Sequence, residues 1–287
     1  MNESLVAMLQ KYPLRTSEEY NHALREILQE LALCGLWRAK FFEHALFYGG
    51  TALRILHGLD RFSEDMDFSL LKSDDGFRLE PYGKALVEEL QSFGFKVELQ
   101  MKTKTKVTAI QSAFLKTDTT LALLQIQAPA SLLGSSEGRQ LKIKLEMDTN
   151  PPMGFADEAK LVLQPIPFSV RSMTPSSLFA GKMHAVLCRA SGNRVKGRDW
   201  YDMVWYVGRS VPVRLTHLEQ RMRQSGHWTS GSTLRAVDFH DLLEKRIGEL
   251  DIQSAKADVQ NFIRDPASIS LWSPNFFHQI AKRIQTE

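Results

Sequence analysis

The chain of 287 residues carries only two cysteines, Cys34 and Cys188, far apart, without CxxC spacing and without clustered histidines. Neither a zinc site nor a disulfide framework is indicated, and both residues are expected as buried thiols. No apolar run approaches the ~18 residues of a membrane span, and no charged segment followed by an apolar one opens the chain. A cytoplasmic protein with no membrane partner is therefore expected. Internal repeats and low-complexity segments are absent, which excludes solenoid and linker-like architectures. With 43% hydrophobic residues the chain can bury one large core or two smaller ones. Its net charge of only +3 says little about partners. One absence says more. Between Ala159 and Arg198 no Asp or Glu occurs, whereas Lys160, Arg171, Lys182, Arg189, Arg194, Lys196 and Arg198 do. A one-signed stretch of this kind attracts a polyanion, and Arg189, Arg194 and Lys196 are its candidate RNA-binding residues. Lys102, Lys104 and Lys106 read first as a solvated hairpin turn and only second as an RNA contact.

What is present is a pattern of carboxylates and glycines. Residues 62–70 alternate, with Met66, Phe68 and Leu70 on one side and Asp65, Asp67 and Ser69 on the other, the period of a half-buried strand. Residues two apart on a strand are separated by roughly 6.6 Å, so Asp65 and Asp67 can lean together onto one or two divalent ions. Just upstream, residues 45–48 read as a short apolar strand, Gly49-Gly50 as a tight turn, and residues 51–57 as a short helix closed by Gly58. A Gly-Gly turn opening a helix presents backbone N–H groups to a phosphate. A phosphate site beside an oxygen-ligand metal site points to a nucleoside triphosphate with Mg2+.

A two-metal site needs a further carboxylate, and LKIKLEMD at 141–148 supplies it. Leu141, Ile143, Leu145 and Met147 are assigned to the core; Glu146, central in the strand, is preferred as the third ligand over Asp148 at its end. Further on, Thr174-Pro175 is an N-cap followed by Pro at the first helical position, which predicts a helix over 175–190 with Lys182 in its middle. A lysine there could neutralise charge on a pyrophosphate leaving group. A second helix from about Arg198 carries Asp199 and Asp202 three apart, Asp202 being equally readable as a dipole partner in the first turn.

The chain resembles the nucleotidyltransferase toxins of the AbiEii/AbiGii type, a branch of the DNA polymerase β-like nucleotidyltransferase superfamily. The resemblance rests on GGTAL at 49–53 followed by RFSEDMDF at 61–68, on a later strand bearing Glu146, and on KMHA at 182–185 with RDWYD at 198–202. It spans roughly residues 42–207. It implies Asp65, Asp67 and Glu146 as catalytic metal ligands for Mg2+, with two ions, and Lys182 and Asp199 as catalytic residues, Asp199 orienting Lys182 or the incoming hydroxyl. Gly49, Gly50, Thr51, Arg61, Ser63, Lys182, Arg198 and Asp202 are the implied nucleotide-binding residues, with an NTP as co-substrate. The implied acceptor is RNA, the tRNA 3′ end first, and the implied protein partner a cognate antitoxin. Two alternatives stand beside it: a small-molecule, antibiotic-type nucleotidyltransferase, and an inactive RNA- or protein-binding relative.

The expected fold class is α+β, a nucleotidyltransferase-type mixed sheet domain followed by an all-helical C-terminal domain. Residues 1–40 form a helical lead-in, with Thr16 and Glu19 as a capping box; 41–172 the sheet domain; and 173–287 the helical domain completing the active site. Strands are expected near 95–101, 107–115, 120–127 and 141–148, and helices at 82–93, 215–224, 234–250, 256–264 and 275–285. Among the histidines, His184 lies two residues past Lys182, roughly 200° around the helix, so the two cannot face one site. Trp200 and Trp205 are expected to pack rather than stack on bases.

Overall fold

The structure, a computed structural model, describes residues 3–102, 109–133, 138–189 and 195–287. The chain divides into two compact units. One comprises Met1–Leu56, Glu64–Pro151 and Ala159–Ser172, and the other His57–Ser63, Pro152–Glu158 and Met173–Glu287. The order of elements is α1 (Glu3–Leu9), α2 (Ser17–Arg38), β1 (Ala45–Tyr48), α3 (Gly49–His57), β2 (Met66–Leu70), α4 (Glu80–Ser92), β3 (Val97–Met101), β4 (Ile110–Asp118), α5 (Thr119–Gln125), α6 (Ala130–Leu133), β5 (Gln140–Asp148), β6 (Asp157–Val162) and β7 (Phe168–Met173). Then follow α7 (Pro175–Cys188), α8 (Gly197–Gly208), α9 (Leu215–Gln224), α10 (Ala236–Gly248), α11 (Ile252–Val259) and α12 (Pro274–Ala281).

The fold is α+β. Among the described residues the first unit is built on a mixed seven-stranded sheet of order β3-β4-β5-β2-β1-β7-β6. β2 runs antiparallel to β1 and parallel to β5, which places it mid-sheet between the two. Its apolar face carries Met66 and Phe68, both fully buried. Phe68 meets Phe41 edge-on at 5.1 Å and Phe47 at 5.2 Å between ring centroids, so the sheet core is an aromatic cluster as well as an aliphatic one. α2 starts at a complete capping box between Thr16 and Glu19 and packs closely on α4 at Gly35, where an added Cβ would lie 2.9 Å from Leu86 Cα. Only glycine permits that approach.

Several boundaries differ from the sequence reading, β4 running Ile110–Asp118 where 107–115 was expected and α11 Ile252–Val259 where 256–264 was expected, and two of the differences change an assignment. β2 opens at Met66, so Ser63 lies outside the strand and alternation does not assign it to the carboxylate face. Residues 120–127, expected as a strand, begin instead with the helix α5, because the Asp118 side chain caps it by accepting from Leu121 N at 2.9 Å. Of the lysine cluster, Lys102 is exposed after β3; Lys104 and Lys106 lie outside the described residues.

The second unit is helical from α7 onward. Phe179 stacks on Tyr206 at 4.4 Å, and Trp200 meets Phe277 at 5.1 Å. Trp200 and Trp205 are both buried, consistent with packing. α8 starts at Gly197 against the backbone of Ala255 in α11, an approach that leaves no room for a Cβ. No described helix is long and apolar enough to cross a membrane.

Candidate active site

In the first unit, the register brings the acidic residues together. Asp67 pairs with Glu146 on the parallel neighbour β5 and with Tyr48 on β1, and Glu146 pairs with Ser112 on β4. Paired residues point to the same side of a sheet, so Tyr48, Asp67, Glu146 and Ser112 form one row across four strands with the two carboxylates at its centre. Adjacent strands are about 4.8 Å apart, a spacing across which two carboxylates can share a cation. Asp65 stands one residue ahead of β2 and is exposed, while Asp67 and Glu146 are half-buried. Asp148 pairs with Ser69, one step further along the same face.

The glycine turn belongs to the same construction. Gly49 has φ +81°, and a Cβ there would lie 3.0 Å from the Asp67 Cγ and closer still to Oδ2. Glycine is required twice over, for the backbone angle and for the carboxylate packed on it. The helix α3 accordingly starts at Gly49 itself, with no separate turn before it. Thr51 is fully buried and its hydroxyl donates to the carbonyl of Asp65, which fixes the backbone ahead of β2.

Glu146 accepts from the Lys144 ammonium at 2.7 Å and from Ser112 Oγ at 3.4 Å. Lys144 thus supplies a positive charge on the acidic face. Hard carboxylate oxygens in register on neighbouring strands suit Mg2+, and a cation already attracted to Glu146 is what such a face calls for.

The second unit gathers the charged residues of the RDWYD block around Arg61. Arg61 Nε and Nη2 each donate to the Asp202 carboxylate at 2.6 Å, a bidentate pair with both side chains buried, and Nη1 donates to the Phe62 carbonyl at 2.9 Å. Lys182 Nζ lies 2.7 Å from Asp199 and 2.8 Å from Asp202. Arg189 pairs with the other Asp199 oxygen at 2.6 Å. Burial alone would pull the Lys182 ammonium down, but Asp199 and Asp202 outweigh it and hold it above its ordinary range. Burial likewise works against the Asp202 charge, and Arg61 and Lys182 reverse it, leaving the carboxyl below its ordinary range. Arg61 and Asp202, implied as nucleotide contacts, are therefore turned onto each other and away from solvent. Tyr201 adds a hydrogen bond to Asp60 at 2.9 Å, and burial with that partner pushes its hydroxyl up to about 12.

The basic stretch of 159–198 is acid-free in sequence but not in space. Lys182 and Arg189 meet Asp199; Arg198 lies 3.8 Å from Asp258 and covers the Phe262 ring at 4.1 Å. Arg189 remains half exposed, Lys196 precedes α8, and Arg194 lies outside the described residues. The Arg61–Asp202 pairing was not legible in the sequence, because an arginine and an aspartate 141 positions apart carry no local signal.

The family model for "Nucleotidyl transferase AbiEii toxin, Type IV TA system" matches residues 31–278. No curated protein sequence matches the chain significantly. Among solved structures, JHP933 from Helicobacter pylori is similar at 16% identity and a TM-score of 0.47, over 90% of this chain and 89% of that one. An antigenic nucleotidyltransferase-like protein from Paracoccidioides brasiliensis is similar at 13% identity and 0.44, over 84% and 95% respectively.

Proposed function

The chain belongs to the AbiEii family of nucleotidyltransferase toxins of type IV toxin-antitoxin systems, and from that premise we propose that it transfers a nucleoside monophosphate from an NTP to RNA, the tRNA 3′ end, in the cytoplasm. The observation that carries this reading is the in-register pair Asp67 and Glu146 on adjacent parallel strands, with Asp65 just ahead and Gly49 beneath Asp67. Asp65, Asp67 and Glu146 would hold Mg2+, two ions in the full complement. Bound there, the metal supplies charge neutralisation for the triphosphate and acidifies the acceptor hydroxyl.

The residues do the remainder. Gly49 and Gly50 present N–H groups at the start of α3 to the phosphates. Glu146 takes the proton of the acceptor hydroxyl; the new O–P bond forms at the α-phosphorus while the bond to the β-phosphate oxygen breaks, and pyrophosphate leaves. Lys144, paired with Glu146 in the structure, would share that carboxylate with a bound ion. Arg189, Arg194 and Lys196 hold the RNA backbone. A cognate antitoxin is the partner that the family implies.

Incubation of the protein with Mg2+, each labelled NTP in turn, and total tRNA tests the reading. Label on tRNA supports it. Label only on a small acceptor supports an antibiotic-type transferase, and no incorporation under any condition supports an inactive relative.

A further inference from the structure

We propose that His184, Cys188 and His227 form a zinc-binding site in the helical unit, separate from the carboxylate site. His184 and Cys188 are four apart on α7 and so lie on one face, one turn from each other. His227 comes from the turn after α9, where its backbone N–H is held by the Met222 carbonyl at 2.8 Å. The ligating atoms of the three side chains all lie within 4.8 Å of one another.

A second observation shows that the imidazoles converge. His184 Nε2 and His227 Nδ1 both reach the Ser225 hydroxyl oxygen, at 2.9 and 3.0 Å, so two ring nitrogens from different elements aim at one point. Zinc bonds of about 2.0–2.1 Å to nitrogen and 2.3 Å to sulfur put tetrahedral donors roughly 3.3–3.6 Å apart. From a spacing of at most 4.8 Å the donors must close by about 1.2–1.5 Å at most, and His227, one of the three, is exposed. Ser225 Oγ or a water is then the fourth ligand.

The donor set decides the metal class. One thiolate and two imidazoles are borderline-soft and select zinc over Mg2+, which takes oxygen. Burial outweighs Arg221 and Arg246 and pushes the Cys188 thiol up to about 11, so the metal itself must displace the proton. Arg221 and Arg189 also face His184 and oppose a dication, and the thiolate charge offsets part of that. On binding, the Cys188 sulfur–hydrogen bond is exchanged for a sulfur–zinc bond and one proton leaves to solvent, with no change of oxidation state. The ion would staple the end of α7 to the turn after α9. Lys182 lies roughly 200° around α7 from His184, so its ammonium takes no part in the staple.

The test uses the full-length protein stripped with a chelator and titrated with Co2+, followed by displacement with Zn2+. One equivalent of cobalt should bind, with a thiolate-to-metal charge-transfer band and the intense visible absorption of tetrahedral geometry. Zn2+ should abolish both and raise the melting temperature. Cys34→Ser should change none of this, and Cys188→Ser should lose the charge-transfer band. His227→Ala, an exposed position that leaves the fold intact, should weaken binding on the order of 10–100-fold, at least what loss of an outer-shell partner costs. Absence of stoichiometric binding in the wild type, or unchanged binding in His227→Ala, overturns the proposal. Because these readouts are spectral and thermal, they stand or fall independently of nucleotide transfer.

Discussion

Asp67 is the residue on which most of the site depends, since it is packed on Gly49, paired in register with Glu146 and two residues from Asp65. If Asp65, Asp67 and Glu146 hold metal as a unit, each of Asp65→Asn, Asp67→Asn and Glu146→Gln should remove most of the transfer rate, and the Asp65→Asn/Asp67→Asn double variant should be little worse than either single one. Single-turnover transfer with labelled NTP measures this; near-normal transfer by Asp67→Asn would exclude that residue as a ligand. Gly49→Ala should cost about 1–2 kcal/mol for the left-handed backbone alone, and more for the collision with the Asp67 carboxylate, read as a lower midpoint in urea. At this scale the sequence was informative. Alternation from Met66 to Leu70 and along 141–148 was enough to place Glu146 on the face of Asp67, because a strand has only two faces. The role of Gly49 was only half legible, since a glycine pair leading into a helix was foreseen, but the helix begins at Gly49 and not at Thr51 and the carboxylate packed on Gly49 depends on a neighbour 18 residues on.

At the scale of elements, the chain is held by charge as well as by apolar packing. Arg61, Lys182, Asp199 and Asp202 tie the segment 57–63, α7 and α8 together within the helical unit. Asp202→Asn would strand Arg61 and Lys182 without their shared partner, a loss of about 3–5 kcal/mol for a broken buried pair. Loss of stability comparable to a surface substitution would show that the network is dispensable. The pH dependence follows from the directions. The Asp202 carboxyl is lowered from 3.8, so its contribution is present above that value and is lost as pH falls through the folded one. Lys182 is raised from 10.5, so its contribution is present below that value and is lost as pH rises through the folded one. These two groups therefore lower urea midpoints on both sides of this window, the acid limb being shallower in Asp202→Asn. Sequence periodicity anticipated α7, α9 and most of the sheet. It failed at 120–127, where TLALLQIQ has the composition of a strand and the deciding signal was two residues earlier, the Asp118 cap. The His184–Cys188–His227 cluster escaped for a different reason: one turn of α7 shows the first two, but the third arrives through the packing of α7 with the end of α9.

For the whole molecule the open quantity is how a chain of net charge only +3 would grip a polyanion. The acid-free stretch is partly neutralised by Asp199 and Asp258 brought in from later helices, so its lysines and arginines are not equivalent. Lys182 is enclosed by carboxylates, whereas Arg189 keeps one exposed flank beside its bond to Asp199. Replacing Arg189, Arg194 and Lys196 together by alanine should therefore weaken RNA binding while NTP binding barely changes. If each of the three neutralises one phosphate, the slope of log affinity against log salt should flatten by about 2–3, at roughly 0.7–0.9 for each phosphate no longer neutralised. Lys182→Ala should leave that slope as it is and instead lower the melting temperature, because it removes the ammonium shared by Asp199 and Asp202. Filter binding of tRNA over a series of salt concentrations distinguishes the two. An unchanged slope in the triple variant would mean that these side chains form a solvated face and that the RNA is held elsewhere on the chain.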